Sequence, residues 1–107
     1  MRAAKTDANH ARIVKVLRDA GAEVTSLHKV GQGVPDLLVS FWGKWFLIEV
    51  KDPDKPPSAR KLTKPQEEWI ARQKAEVHIV TTDQSALDVL GLGDWRIALG
   101  DDMEKGA

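Results

Sequence analysis

The sequence contains no cysteine, which excludes disulfide scaffolds, thiol catalysis, cysteine-ligated zinc and iron–sulfur clusters. It also lacks any apolar run close to the roughly 20 residues that span a bilayer. Residues 1–7 lead into a polar helix start without the apolar segment of a signal peptide. We therefore expect a cytoplasmic protein, either bacterial or encoded by a phage and present in the host cytoplasm.

A net charge of either sign is also absent, because 16 Lys and Arg residues balance 16 Asp and Glu residues. Nucleic-acid-binding proteins usually carry a basic excess, so this balance taken alone argues against that function. The charge is unevenly distributed, however. Residues 1–75 carry 14 basic and 9 acidic side chains, whereas residues 76–107 carry 2 basic and 7 acidic ones. The protein can therefore present a basic face while its acidic end lies elsewhere.

The composition is that of one soluble globular domain, with 42% apolar and 30% charged residues. A chain of 107 residues is long enough for one hydrophobic core and too short for two. We predict a single domain over residues 1–107, with its core at about 7–92 and an acidic C-terminal extension at 93–107.

Hydrophobic periodicity and turn residues divide the chain into elements in the order α-β-β-β-α-β-α. The order predicts an α/β fold in which helices flank a mixed sheet and a helical crossover leads to the last strand. The predicted elements are a helix at 7–20 capped by Asp7 or Thr6, strands at 22–30, 36–42 and 45–51, a proline-broken basic loop at 53–62, a helix at 63–74, a strand at 77–80 and a helix capped by Asp83.

The second and third strands are separated only by Gly43 and Lys44, which predicts a hairpin with a two-residue type II′ turn. In that register Asp36 pairs with Lys51, and Glu49 lies on the diagonal. Alternation along the strands then places all three charged residues on one face and leaves the other face apolar.

Two explanations fit this trio. In the first, it is a surface salt bridge between Lys51 and a carboxylate on an ordinary amphipathic hairpin. In the second, Asp36 and Glu49 repel each other until a proton or cation lies between them. Mg²⁺ accepts one or two carboxylates and completes its coordination with water and phosphate oxygens. Lys51 would then hold or deprotonate an attacking water.

The segments Val34-Pro35-Asp36 and Glu49-Val50-Lys51 resemble the signature of PD-(D/E)XK nucleases. Together with Gly33 and Gln66, they are similar to the VRR-NUC branch, the virus-type replication-repair nucleases, over about residues 7–90. The resemblance implies a restriction-endonuclease-like αβββαβ core and a Mg²⁺- or Mn²⁺-dependent endonuclease that hydrolyses DNA. It also implies the site residues: Asp36, Glu49 and the Val50 carbonyl as metal ligands, with Asp36, Glu49, Lys51 and Gln66 as catalytic residues.

Stand-alone members of this branch resemble dimeric Holliday-junction resolvases. The resemblance therefore implies a homodimer that acts in DNA repair on branched DNA, such as four-way junctions. The alternative is a non-catalytic nucleic-acid-binding adaptor that retains the nuclease fold and has lost productive metal binding.

Relatives usually carry an acidic residue on the first helix, and this chain has none at the inward-facing positions. His10 or Asn9 would be a weak or water-mediated substitute there, unless His10 is simply packed or solvent-facing. Gln66 has two explanations as well, because Thr63-x-x-Gln66 is a capping box whatever its role in a site.

The basic loop and the tryptophans complete the set of candidates. Lys55, Arg60, Lys61 and Lys64 would meet DNA phosphates, or they form a solvated loop. Four tryptophans lack the basic-aromatic interleaving of proteins that stack single strands, so we interpret them as core or dimer interface: Trp42, Trp45, Trp69 and Trp95. We interpret His28 and His78 as structural.

Overall fold

The structure is a computed structural model that describes residues 8–92. The Asp7 cap, Trp95 and the acidic extension lie outside the described residues. The elements are α1 (His10–Asp19), β1 (Glu23–Ser26), β2 (Leu37–Phe41), β3 (Lys44–Val50), α2 (Pro57–Arg60), α3 (Lys64–Arg72), β4 (Val77–Val80) and α4 (Asp83–Val89). Apart from the one-turn α2, this is the predicted order.

The four strands form one mixed sheet in the order β1-β2-β3-β4. β2 pairs antiparallel with both β1 and β3, whereas β3 and β4 are parallel. Parallel neighbours need a long crossover, and the segment that contains α3 supplies it. The predicted α/β fold class, with its mixed sheet and helical crossover, is confirmed.

The hydrophobic core lies between one face of the sheet and the helices α1 and α4. Ile13 and Leu17, four residues apart on α1, are fully buried, because that spacing places both on one side of the helix. The core-facing strand positions alternate, as a half-buried sheet requires. They are Val24, Leu37, Val39, Ile48, Val50 and Val80, and α4 adds Ala86 and Leu87.

The β2–β3 hairpin turns one residue earlier than predicted. Trp42 and Gly43 occupy the turn with φ of 51° and 79°, and Phe41 pairs with Lys44. Two successive positive φ values define a type I′ turn, so the predicted type II′ turn at Gly43-Lys44 is wrong. Both turns contain two residues, and the register therefore shifts by two. Each residue keeps its predicted face but changes its partner.

Several element boundaries also differ from the prediction. The first strand ends at Ser26 rather than Val30, because the chain turns there and the Val30 amide donates to the Leu27 carbonyl. The first helix begins at His10, after Asn9, rather than at residue 7. Helix α4 is capped by Thr82, whose hydroxyl accepts from the Ser85 amide, so Asp83 belongs to the first turn instead.

The second face of the sheet is only partly covered. Trp42 and Trp45 are 88% and 71% exposed, so they are not core residues, contrary to one of the two interpretations of the tryptophans. Trp69 on α3 is half-buried. Within residues 8–92, no helix has the length and apolar character needed to cross a membrane.

Candidate active site

A cavity of about 400 Å³ opens where the end of β3 meets the start of α3. Asp36, Glu49, Lys51 and Gln66 all line it. Glu49 and Lys51 are 4% and 7% exposed, which is unusual for charged residues. The structure thus brings together the side chains that the hairpin pattern placed on one face.

Asp36 is held by the main chain of the neighbouring strand. Its Oδ2 accepts a hydrogen bond of 2.9 Å from the Val50 amide, and its carbonyl accepts from the Leu27 amide at 2.6 Å. The last hydrogen-bonded pair of the hairpin is Leu37 with Ile48. Continuing that register by one residue aligns Asp36 with Glu49, which corrects the predicted Asp36–Lys51 pair.

Glu49 carries a carboxyl group whose ionisation is disfavoured. Burial first, and the nearby Asp36 carboxylate second, raise its pKa from 4.5 to about 7. Lys51, with Nζ 3.4 Å from Oε2 of Glu49, and the hydrogen bond from Gln66 act in the opposite direction. The site is therefore short of positive charge beside its two carboxyl groups.

Gln66 caps α3 and contacts the charged residues of the cavity with one side chain. As the capping-box residue of α3, its Oε1 accepts from the Thr63 amide at 2.8 Å. The same Oε1 accepts from Nζ of Lys51 at 3.0 Å, and Nε2 donates to Oε2 of Glu49 at 2.8 Å. The first turn of α3 therefore sets the positions of both charged residues.

Gly33 fixes the loop before Asp36 against α3. Its φ is +84°, and a Cβ built on it would overlap the carbonyl oxygen of Pro65, next to Gln66. Gly31 has a similar φ of +69°, but nothing lies within 4 Å of a Cβ at that position. Of these two positions, only position 33 requires glycine for two reasons, namely its positive φ and the close approach of the Pro65 carbonyl.

His28 lines the cavity, whereas the sequence analysis interprets it as structural. Its Nδ1 lies 2.8 Å from the Ser26 hydroxyl, and its ring meets the ring of His10 edge-on at 6.1 Å. The strand predicted to contain His28 ends at Ser26, so His28 lies in the turn that leads towards Asp36. The one sequence signal that could have placed His28 at the site is its position just before the Gly31-Gln32-Gly33 loop.

His10 does not line the cavity, but its ring contacts the ring of His28, which does. Nε2 of His10 is buried and has no hydrogen-bond partner in the part of the chain that the structure describes. Asn9 instead ties the start of α1 to the site strand, because its Nδ2 donates to the carbonyls of Lys51 (3.1 Å) and Thr81 (2.8 Å). Neither residue supplies the missing acid.

The donor set at the cavity fits a hard divalent cation. Asp36, Glu49 and Val50 line it together, and carboxylate and carbonyl oxygens are the ligands that Mg²⁺ and Mn²⁺ accept. A cation would also offset the burial and the repulsion from Asp36 that together raise the pKa of Glu49. No group of three or more His, Asp or Glu side chains that could hold a metal occurs in residues 8–92, so water and substrate would complete the coordination.

The predicted DNA-binding residues lie outside the cavity. Lys55, Arg60, Lys61 and Lys64 are exposed, and α2 interrupts the loop that carries them. Lys64 lies between Thr63 and Pro65, which both line the cavity. Lys64 therefore borders the site, and none of the four side chains lines it.

The sequence matches no protein-family model and no curated protein. Among solved structures, the chain is similar to one described as "VRR_NUC domain", with a TM-score of 0.55 and 24% sequence identity. The match covers 79% of this chain and 97% of that chain. At this identity the likeness concerns the backbone. The chain therefore has the fold of a VRR_NUC domain, the restriction-endonuclease-like αβββαβ core that its motifs predict.

Proposed function

We propose that this chain is a metal-dependent endonuclease that hydrolyses DNA phosphodiester bonds. One observation carries the proposal: Glu49, Lys51 and Gln66 form a buried hydrogen-bonded cluster in the cavity that Asp36 also lines. A surface salt bridge would leave these charged side chains in solvent. The motif resemblance to replication-repair nucleases supports DNA as the substrate.

Asp36, Glu49 and the Val50 carbonyl would hold Mg²⁺ or Mn²⁺. When bound, such an ion supplies a water of lowered pKa and positive charge at the leaving oxygen. The Val50 amide fixes Asp36, and Gln66 fixes Glu49, so the two carboxylates are oriented before a ligand arrives.

Lys51 would orient the attacking water or a phosphate oxygen. A lysine ammonium has three N–H donors. Gln66 accepts from Nζ of Lys51 at 3.0 Å, and Glu49 lies 3.4 Å from it, which together occupy two of the three. The third donor remains for a ligand. Lys55, Arg60, Lys61 and Lys64 would contact phosphates on either side of the cleaved bond.

We further propose branched DNA, such as four-way junctions, as the preferred substrate and a homodimer as the active form in DNA repair. A junction is resolved by two symmetric cuts, and one chain contributes one site. The edge strand β4 supports this assembly, because it carries Ile79 at 49% exposure. Sedimentation at micromolar concentration should give twice the mass of the chain. If the protein is a strict monomer and does not cut junctions, the resolvase proposal is wrong, whereas the nuclease proposal still stands.

Cleavage assays on duplex, nicked, flap and four-way-junction DNA test the proposal. We expect strand cleavage in Mg²⁺ or Mn²⁺ and none in EDTA. Cleavage that persists in EDTA would contradict the metal-dependent reaction. DNA binding without cleavage of any substrate, together with no calorimetric signal for Mn²⁺, would instead support the adaptor.

A further inference from the structure

Residues 42–45, which we call the hairpin tip, expose two indoles on either side of a cation. Trp42 and Trp45 are 88% and 71% exposed, and they line a surface depression of about 390 Å³ together with Lys44. No carboxylate of residues 8–92 forms an ion pair with Lys44. The tip therefore presents aromatic surface and an available positive charge at the same place.

Folding does not account for a tryptophan at position 42. A type I′ turn favours Asn, Asp or Gly at its first central residue, because these tolerate positive φ. Trp42 adopts a φ of 51° there and gains little from burial. Its ring meets the Phe41 ring edge-on at 6.2 Å, which holds the indole in place. A strained, exposed and oriented aromatic residue is typical of a binding position.

Trp45 of the hairpin tip lies on the same sheet face as Glu49 of the candidate active site. Trp45, Leu47 and Glu49 alternate along β3, so the first and last of them share a face. Four residues of extended strand span about 13 Å. Stacked nucleotides are about 3.4 Å apart along one strand, so a strand cut at the cavity would reach Trp45 after about four nucleotides.

The area and charge of the tip favour nucleotides over a second protein surface. An aromatic side chain buries about 150–250 Å², so two indoles supply about half of the roughly 800 Å² per partner of a stable protein interface. Glu23 lines the same depression and would repel a phosphate inside it, but not an uncharged base. Bases would therefore enter the depression, and Lys44 would contact the backbone.

We infer that the hairpin tip binds unpaired bases of the DNA strand, by stacking on Trp42 and Trp45 with Lys44 on a phosphate. The inference rests on the proposed function in that DNA is the substrate. It adds a substrate class, namely DNA with single-stranded nucleotides near the cleavage site.

Fluorescence anisotropy with labelled oligo(dT) and with a duplex of equal length, both in EDTA, tests the inference. Trp45→Ala and Trp42→Asn are the test variants, because asparagine suits the turn and neither indole is buried. Lys15→Ala, on the exposed side of α1, is the control for a substitution outside the tip. Far-UV circular dichroism of each variant establishes that it is folded.

We expect the double variant to bind oligo(dT) about tenfold more weakly or worse, with duplex affinity within about twofold of wild type. Lys44→Gln should lower the slope of log affinity against log salt for oligo(dT) by about 0.7. Unchanged oligo(dT) affinity in the double variant, or no oligo(dT) binding by the wild type, would overturn the inference. A dimer that dissociates in the variants while oligo(dT) affinity stays constant would assign the tip to a protein interface and overturn it as well.

The two proposals fail separately, because binding in EDTA does not depend on cleavage. If oligo(dT) binding depends on the tip but no DNA substrate is cut in Mg²⁺, the inference stands and the nuclease is wrong. If substrates are cut but the tip variants bind and cut like wild type, the nuclease stands and the inference is wrong.

Discussion

Nε2 of Gln66 donates a hydrogen bond of 2.8 Å to Oε2 of Glu49, while Oε1 of Gln66 accepts from both Lys51 and the Thr63 amide. The side-chain amide of Gln66 therefore links the carboxyl group of Glu49 and the ammonium group of Lys51 to the N-terminus of α3. Any change in how α3 begins must move the charged residues of β3 relative to each other.

Gln66→Ala should lose both the capping interaction and the site contacts. We expect about 1 kcal/mol less stability from the cap and a fall in cleavage rate of more than about tenfold. Thr63→Ala is the matched control, because it removes the hydroxyl that caps the Gln66 amide without touching Glu49 or Lys51. Urea unfolding and cleavage kinetics measure both effects. Equal activity losses in the two variants would mean that Gln66 acts only through the helix.

Lys51→Ala should abolish cleavage and retain Mn²⁺ binding, since lysine is not a ligand. Glu49→Gln should weaken Mn²⁺ binding as well. Because Lys51 lowers the pKa of Glu49, its removal leaves Glu49 protonated to higher pH, and calorimetric titrations should be run at pH 8 or above. Lys15→Ala, on the exposed side of α1, is the control. If Lys51→Ala cleaves DNA at the wild-type rate, the role proposed for Lys51 is contradicted.

Glu49 should make the metal-free protein less stable as pH rises. Its pKa is about 7 in the folded chain and 4.5 ordinarily, so between these values the folded state holds a proton that the unfolded state releases. Stability therefore falls from about pH 4.5 to 7, by roughly 3 kcal/mol in all. The gain in stability from Glu49→Gln should be larger at pH 8 than at pH 5 by about that amount.

Urea unfolding in EDTA at both pH values measures this difference, and groups common to the two proteins cancel. Glu68→Gln removes an exposed carboxylate from α3 and serves as the control. A gain from Glu49→Gln that is the same at pH 5 and pH 8 would show that burial does not perturb Glu49.

Gly33→Ala should destabilise the protein more than Gly31→Ala. Both substitutions place a Cβ at positive φ, which costs about 1 kcal/mol. Only at Gly33 does the new methyl group meet the Pro65 carbonyl. We expect Gly33→Ala to displace the start of α3 and lower cleavage, and Gly31→Ala to leave cleavage nearly unchanged. Equal unfolding free energies for the two variants would argue against a structural role for the contact.

The exposed basic residues of the loop and of the start of α3 should contribute affinity without sequence preference. Single replacement of Arg60, Lys61 or Lys64 by Ala should make duplex binding less sensitive to salt. We expect the slope of log affinity against log salt concentration to fall in magnitude by about 0.9. Anisotropy titrations at several salt concentrations measure that slope. Lys15→Ala again provides the control, and a slope equal to that of wild type would identify the substituted residue as part of a solvated loop.

The sequence alone determined which residues share a face of the hairpin. Asp36 and Glu49 lie on the same side in both the predicted and the observed register, because each turn contains two residues and a shift of two preserves alternation. The sequence did not determine which residues pair across the hairpin, because that pairing depends on a positive φ at Trp42, which the tryptophan side chain disfavours. The mixed sheet and the crossover followed from element order, and the capping box from four consecutive residues.

Only the tertiary structure decided how the site closes. Gln66 reaches Glu49 and Lys51 because the first turn of α3 lies beside the end of β3, and the same placement brings Pro65 against Gly33. His28 enters the cavity because β1 ends at Ser26. Periodicity and turn residues report on the local backbone. Contacts between residues far apart in the sequence depend instead on how complete elements pack, and packing sets the burial that raises the pKa of Glu49.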